Sequence, residues 1–239
     1  KALGWDIGFF TGGIGVLLHL ELEEMLKMIT EILEDKIWLS VGPLSQKILE
    51  RYQPYIKGIV GSTETINPIL HKKVCPSKPL APYENMFEAA QHLGIPSAMT
   101  FIVGMGEIHD DFLLLKAFIE KYHISKIHVY GLIPQKETMF EHSKRPTKEE
   151  QAWWIANLRI TFPTLDIQCG IWDDRIDYVS YLLHAGANTL SKLQALKYFG
   201  TSKAHEIEAE AQKAGRTFRG TLTTFPHVDW NAELERLTI

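Results

Sequence analysis

Residues 94–107, GIPSAMTFIVGMGE, decide how the rest of this chain is read. Gly94 ends a helical pattern, Ala98 to Val103 run apolar without a break, and glycines at 104 and 106 bracket a turn that ends on Glu107. A short strand that is apolar on both faces is covered on both sides, as strands of parallel sheets and barrels are. Glycines just beyond it let the backbone take positive φ or pass close to another group. The turn therefore reads as a rim rather than a core, with Glu107 brought to the strand's C-terminal edge. A tight turn with a solvated glutamate is the other reading this stretch allows.

The same grammar recurs along the chain. Strands are expected over 7–10, 36–41, 57–62, 98–103, 126–133, 165–171 and 188–190. Helices are expected over 21–34, 43–52, 82–93, 110–122, from the Thr147 N-cap to about 161, over 174–185 and over 202–214. About seven strands alternating with helices through short connections argue a parallel α/β architecture, best fitted by a TIM-type (βα) barrel, full or partial. Residues 1–200 form the expected barrel core, and 201–239 a C-terminal helix and tail packed on it. The one long connection, 66–81, carries Asn67, His71, Cys75 and Pro68, Pro76 and Pro79, with Pro82 following; a long loop inside a compact domain is more often functional than idle.

In such a barrel, chemistry gathers at the C-terminal strand ends. Those ends carry Gly12-Gly13, Thr63-Glu64-Thr65, Gly104 to Glu107, Pro134-Gln135-Lys136, Asp173-Asp174-Arg175 and Ser191-Lys192. The opposite rim, around Lys36, Lys57, Pro96 and Lys126, repeats lysine and proline without carboxylates. A phosphate turn at Gly186-Ala187-Asn188 is a weaker alternative, with Lys192 its one basic anchor.

With 239 residues, 45% hydrophobic and 23% charged, the chain is long enough for one sizeable barrel. A net charge of −4 gives no electrostatic footprint for nucleic acid or an anionic membrane. No apolar run reaches the ~18 residues of a spanning helix, so a soluble cytoplasmic protein with small-molecule or protein partners is expected. Cys75 and Cys169 lack metal-ligand spacing, which excludes a zinc site or disulfide framework. Cys169, mid-strand, reads as a core thiol; Cys75 could also serve near the rim as a cluster or sulfur ligand.

The ordered set GFFTGG, ETIN, GIPSAMTFIVGMGE, GLIPQKETMFE, RITFP and HAGANTL resembles the core of the biotin-synthase-like branch of radical S-adenosylmethionine enzymes, from about residue 4 to 200. The resemblance implies S-adenosylmethionine and a 4Fe-4S cluster as cofactors, with an auxiliary iron-sulfur cluster open. It implies that Gly12 and Gly13 meet the methionine amino end. Glu64, beside Thr65 and Asn67, would meet the ribose hydroxyls, and Ile102 to Glu107, including Gly104, would meet adenine. A capping Glu64 and a packing Ile102 are the plainer alternatives. Near Tyr83, where the family carries an arginine for the cofactor carboxylate, Lys78 is the substitute.

The three cluster cysteines of the family are not in the sequence. Because the chain opens inside a strand pattern, the first strand and cluster loop are expected upstream of Lys1. The implied reaction is reductive cleavage of the cofactor to a 5'-deoxyadenosyl radical. Sulfur insertion of the biotin- or lipoyl-synthase kind is the first expectation, carbon-skeleton or methyl rearrangement the second, and a cluster-less binding or scaffold subunit the third. Substrate-facing candidates are Lys136, Gln168, Trp172, Asp173, Arg175 and Lys192. Implied partners are a small-molecule or carrier-bound substrate, an electron donor and a second radical subunit, for which Trp153-Trp154 and 218–230 would be docking surface.

Overall fold

The computed structural model describes residues 3–6 and 9–237. Seven strands make one parallel sheet in sequential order: β1 (Phe10–Thr11), β2 (Ile37–Ser40), β3 (Ile56–Gly61), β4 (Ser97–Val103), β5 (Ile124–Gly131), β6 (Asp166–Gly170) and β7 (Thr189–Ser191). Between and after them lie α1 (His19–Leu33), α2 (Gln46–Tyr52), α3 (Pro68–Val74), α4 (Ala81–His92), α5 (Asp111–Lys121), α6 (Lys148–Thr161), α7 (Tyr178–His184), α8 (Ala195–Tyr198), α9 (Ser202–Lys213) and α10 (Trp230–Leu237). This is a partial TIM-type barrel: β1 and β7 are the two edges and do not pair.

Side-chain contacts show the curl. Phe9, just before β1, sets its ring edge-on to His128 of β5 at 5.1 Å, although three strands separate β1 from β5 in the sheet. Lys126 of β5 likewise sits 5.4 Å from the Trp38 ring of β2. Only a sheet curled on itself brings those faces together. The opposite face packs on helices: Phe101 meets Trp154 of α6 at 4.7 Å, and Ile127, Val129, Ile167 and Cys169 join the hydrophobic core. Polar residues at alternate positions therefore point into the barrel and apolar ones outward.

Local chemistry explains the boundaries. Gly94 takes φ +66° after α4 while the Ile95 amide reaches back to the Ala90 carbonyl at 2.8 Å, so the chain turns directly into β4. Thr147 caps α6 through the Glu150 amide, and Glu150 returns the bond to the Thr147 amide. The expected loop 66–81 contains a helix instead: Asn67 accepts from the amides of Ile69 and Leu70, and Pro68 begins α3 with no amide to leave unpaired. Helices α8 and α10 were also unexpected, and α7 starts later than 174 because Asp173 to Arg175 form a turn. Of the expected strand 7–10, Ile7 and Gly8 lie outside the described residues.

The expectation of a carboxylate-free lower rim is corrected. Lys57 pairs with Asp35, and Lys126 pairs with Asp166 at 2.9 Å. Burial would raise the Asp166 carboxyl, but Lys126, Asn188 and Thr189 hold it below its usual range. The tail folds back on the start of the chain: the Trp5 indole and the Thr221 amide bond to the Thr221 and Leu3 carbonyls respectively, while Glu208 of α9 holds the Leu222 amide and Thr223 hydroxyl. Among the described residues no helix is long and apolar enough to cross a membrane.

Phe101 is fully buried between β4 and α6. Phe101→Ala is expected to destabilise the fold by about 3–5 kcal/mol, read as a lowered midpoint of urea unfolding.

Candidate functional site

The sheet's register builds the site in layers. Lys126 and Asp166 lie side by side at the N-terminal end, with Trp38 against the Lys126 ammonium. Above them Thr100, His128, Gln168 and Thr189 are consecutive partners across β4 to β7. At the C-terminal end Ile102 pairs with Tyr130, and Gly170 with Ser191. A Cβ on Gly170 would collide with the Tyr130 ring, so the glycine is what lets that ring lie against β6.

These interior groups are conspicuous for what they do not bond. Both ring nitrogens of His128, Gln168 Oε1 and Trp172 Nε1 are buried and complete no hydrogen bond, and the adjacent buried hydroxyls of Tyr130 and Ser191 have at most each other. His128, Gln168 and Tyr130 are 0, 2 and 8% exposed. An unsatisfied buried polar group costs about 1–3 kcal/mol, so so many on one face mark a surface made for something other than stability. Burial, then Lys126, pushes the His128 pKa down to about 3, and burial pushes the Tyr130 phenol up to about 12 against a smaller lowering by Ser191. Both side chains are neutral over the ordinary pH range.

The rim beside β3 and β4 is the second half of the site. Glu64 sits at φ +63°, a left-handed backbone that costs a non-glycine residue about 1–2 kcal/mol. It is held there by the Ile102 amide on its carbonyl at 2.8 Å, and its own amide bonds the Thr100 hydroxyl. Its carboxylate accepts from Lys78 at 2.7 Å and Thr100 at 3.2 Å. His71, 3% exposed with Nε2 unpartnered, lies in the same cluster; burial first, then Lys78, lowers its pKa. Backbone strain at a rim, braced by its neighbours, points to a functional position.

The other sequence candidates fall in different places. Glu107 folds back on its own turn, accepting from the amides of Gly104, Met105 and Gly106 at 2.5, 2.9 and 3.1 Å. Burial raises its pKa despite those bonds. Its carboxylate thus shapes the glycine turn, while half-exposed Ile102 presents the apolar edge. Asn67 is committed to capping α3 and to Asp111 at 2.7 Å, and Thr65 is buried. Gly12 and Gly13 are exposed beyond β1; the Gly12 amide bonds the Ser40 carbonyl at 3.1 Å, and the Gly13 carbonyl accepts from Val16.

Of the substrate-facing candidates, Gln168 is buried in the interior, whereas Lys192 is exposed at the rim, its Nζ 4.9 Å from the Tyr130 ring and 5.9 Å from the ring of half-buried Trp172. Lys136 is exposed, Asp173 is bonded by Tyr198, and Arg175 bonds the Pro146 carbonyl and Tyr178. Trp154 is core, and Trp153 stacks on His109 at 3.8 Å. His128 and Tyr130 were missed; the signal was present in KIHVYG, where polar residues at 126, 128 and 130 alternate with apolar ones.

Neither cysteine belongs to a ligand set. Cys169 is wholly buried toward the helices with its thiol pushed up to about 12, and burial raises Cys75, which stands alone beside Lys78 and Glu64. Among the described residues no group of three His, Cys, Asp or Glu could hold a metal ion. The residues described here therefore do not fit a 4Fe-4S cluster. They do fit a nucleoside: a braced carboxylate, an apolar strand edge and an unpartnered buried histidine share one rim.

No family model matches the chain. It is 32% identical over 223 residues to an uncharacterized protein of Methanocaldococcus jannaschii, covering 93% of this chain and 61% of that one. It is 30% identical over 105 residues to the biotin synthase of Alkaliphilus metalliredigens, covering 44% of this chain and 33% of that one. Among solved structures it superposes on methylornithine synthase with a TM-score of 0.69 at 18% identity, over 90% of this chain and 66% of the other. The FeFe-hydrogenase maturase HydG from Carboxydothermus hydrogenoformans gives 0.63 at 18% identity, over 96% and 54%. The chain thus spans about three fifths of the length of its first relative, and it has the partial-barrel fold of these two structures. A DHODH from Eimeria tenella also superposes, at 0.56 and 10% identity, so the fold alone does not fix the chemistry.

Two outcomes test the site's physics. His128 is neutral when folded down to about pH 3, whereas an unfolded histidine takes a proton near 6.5. Its contribution is fully present above pH 6.5 and is lost as pH falls toward 3, at about 1.4 kcal/mol per unit. His128→Gln should flatten that part of the acid-side loss in urea midpoints measured between pH 7 and 4. Gly170→Ala should displace the Tyr130 ring and shift its aromatic NMR signals, with the helix-facing core unaltered.

Proposed function

We propose that this protein is a radical S-adenosylmethionine enzyme whose nucleoside site is the Glu64–Ile102 rim and whose substrate chamber is the barrel interior. The observation that carries the reading is the strained, braced Glu64 beside an interior lined by unpartnered buried polar groups. The ordered motifs, the superposition on methylornithine synthase and the partial match to a biotin synthase support it.

When bound and reduced by one electron, the cofactor supplies a primary carbon radical that takes a hydrogen atom from an unactivated carbon. The chain's own part is binding and exclusion. Glu64 accepts from the ribose hydroxyls, exchanging Thr100 and Lys78 for them, and the freed Lys78 ammonium becomes available to the cofactor carboxylate. Ile102 gives adenine an apolar edge. Phe9, Trp38 and the pleated interior keep water from the reacting carbon, and His128, neutral and unable to act as an acid at ordinary pH, contributes orientation rather than proton transfer.

Within that class the reading is sulfur insertion of the biotin-synthase kind, supported by the match to the Alkaliphilus metalliredigens enzyme. Carbon-skeleton rearrangement is the second reading, favoured by the superposition on methylornithine synthase. Product mass separates them, since only the first adds sulfur. Full-length protein, reconstituted and reduced without oxygen, should cleave S-adenosylmethionine to 5'-deoxyadenosine and methionine. Glu64→Gln should weaken cofactor binding roughly tenfold, as loss of a charge-assisted bond predicts. No cleavage by the wild type, or unchanged affinity in the variant, would remove the proposal.

A further inference from the structure

The charges at the barrel's interior and upper rim do not cancel. Lys126 is matched by Asp166 at 2.9 Å and Lys78 by Glu64 at 2.7 Å, while Lys192, exposed at the end of β7, has no carboxylate partner among the described residues. Its ammonium lies over the Tyr130 and Trp172 rings, at 4.9 and 5.9 Å. Cation–π contact at a partly open site is worth only about 0.5–1 kcal/mol and leaves three N–H donors to be used. The backbone at Lys192 takes φ +65°, so the side chain is held at the end of β7 at some cost. Around it stand three further buried donors: the Trp172 indole N–H, which bonds nothing, and the adjacent hydroxyls of Tyr130 and Ser191, which have at most each other. Tyr130 is 8% exposed and stays protonated, its phenol pushed to about 12.

We propose that Lys192, with Trp172, Tyr130 and Ser191, forms a binding site for a single carboxylate on the substrate. The inference rests on the interior being the substrate chamber of the proposed enzyme and adds the substrate's class. One positive charge balances a monoanion, and neutral donors match the lone pairs of two carboxylate oxygens. A phosphate dianion would leave one charge uncompensated, because Arg145 and Arg175, which line a pocket with Trp172, are engaged by Asp174 and by the Pro146 carbonyl. The rings of Tyr130 and Trp172 suit an aliphatic chain on that carboxylate. Deeper in, neutral His128 and the Gln168 carbonyl oxygen, 0 and 2% exposed and unpartnered, take a neutral polar group rather than a second charge.

The test needs neither a cluster nor turnover. Full-length protein with 15N-labelled tryptophan is titrated with butyrate at constant ionic strength, and the Trp172 indole signal, assigned by its loss in Trp172→Phe, is followed. Butyrate is expected to shift that signal saturably, while butanol, butylamine and inorganic phosphate do not. Lys192→Arg should retain the response. Lys192→Asn, which removes the cation but suits the left-handed backbone, should raise the dissociation constant at least tenfold with the remaining spectrum unchanged. An equal response to butanol or phosphate, an unchanged constant in Lys192→Asn, or no shift at Trp172 overturns the proposal. Failure of the enzymatic reading shows separately, as absent S-adenosylmethionine cleavage with carboxylate binding intact.

Discussion

Side-chain parity along β5 is the constraint on which the rest of this structure depends. Its pairing with β4 on one side and β6 on the other places Ile127 and Val129 among the helices and Lys126, His128 and Tyr130 inside the curl. A shift of one residue would send three polar groups into an apolar layer and two aliphatic ones into the interior. The helix-facing packing fixes that parity, because Phe101, Ile127, Val129, Ile167 and Cys169 are all essentially unexposed. The fold's stability therefore comes from one face of the sheet. The other face is left to carry polar groups that stabilise nothing by themselves.

Local strain is spent at the interior's two flanks. Glu64 and Lys192, at the ends of β3 and β7, both hold left-handed backbone that a glycine would take more easily. The neighbours of Glu64 account for how its position is held: Thr100 and Ile102 of β4 bond its amide and carbonyl, so the adjacent strand enforces the turn. Among the described residues no backbone hydrogen bond braces Lys192 in the same way, and its ammonium rests on rings. The two residues carry opposite charge, which is the polarity expected where a diol-bearing nucleoside and a carboxylate-bearing substrate would meet.

Much of the fold was legible in the sequence because its signals are local. Gly94, Thr147 with Glu150, and the apolar run 98–103 each act within a few residues, so their reading survives folding. Helix α3 was hidden because its stop and start signals, Asn67 and Pro68, stand in a proline-rich stretch that reads as loop. The site was legible only in part. Glu64 and Lys78, given separate partners by the resemblance, bond each other, and Glu107, read as a rim group at the adenine edge, has its carboxylate held by three amides of its own turn. His128 and Tyr130 look like ordinary strand residues until the curl brings Phe9 and Lys192 onto them. The counter-ions of the lower rim, Asp35 and Asp166, come from other elements and give no local sign.

In the proposed enzyme a nucleoside lies across the Glu64–Ile102 rim. Hydrogen exchange of the full-length protein, measured by mass spectrometry with and without S-adenosylmethionine, tests it most directly. Slowed exchange is predicted in peptides covering 61–67 and 99–107, with little change over α7 and α9. Protection confined to α7 and α9, or none at all at saturating cofactor, would contradict it.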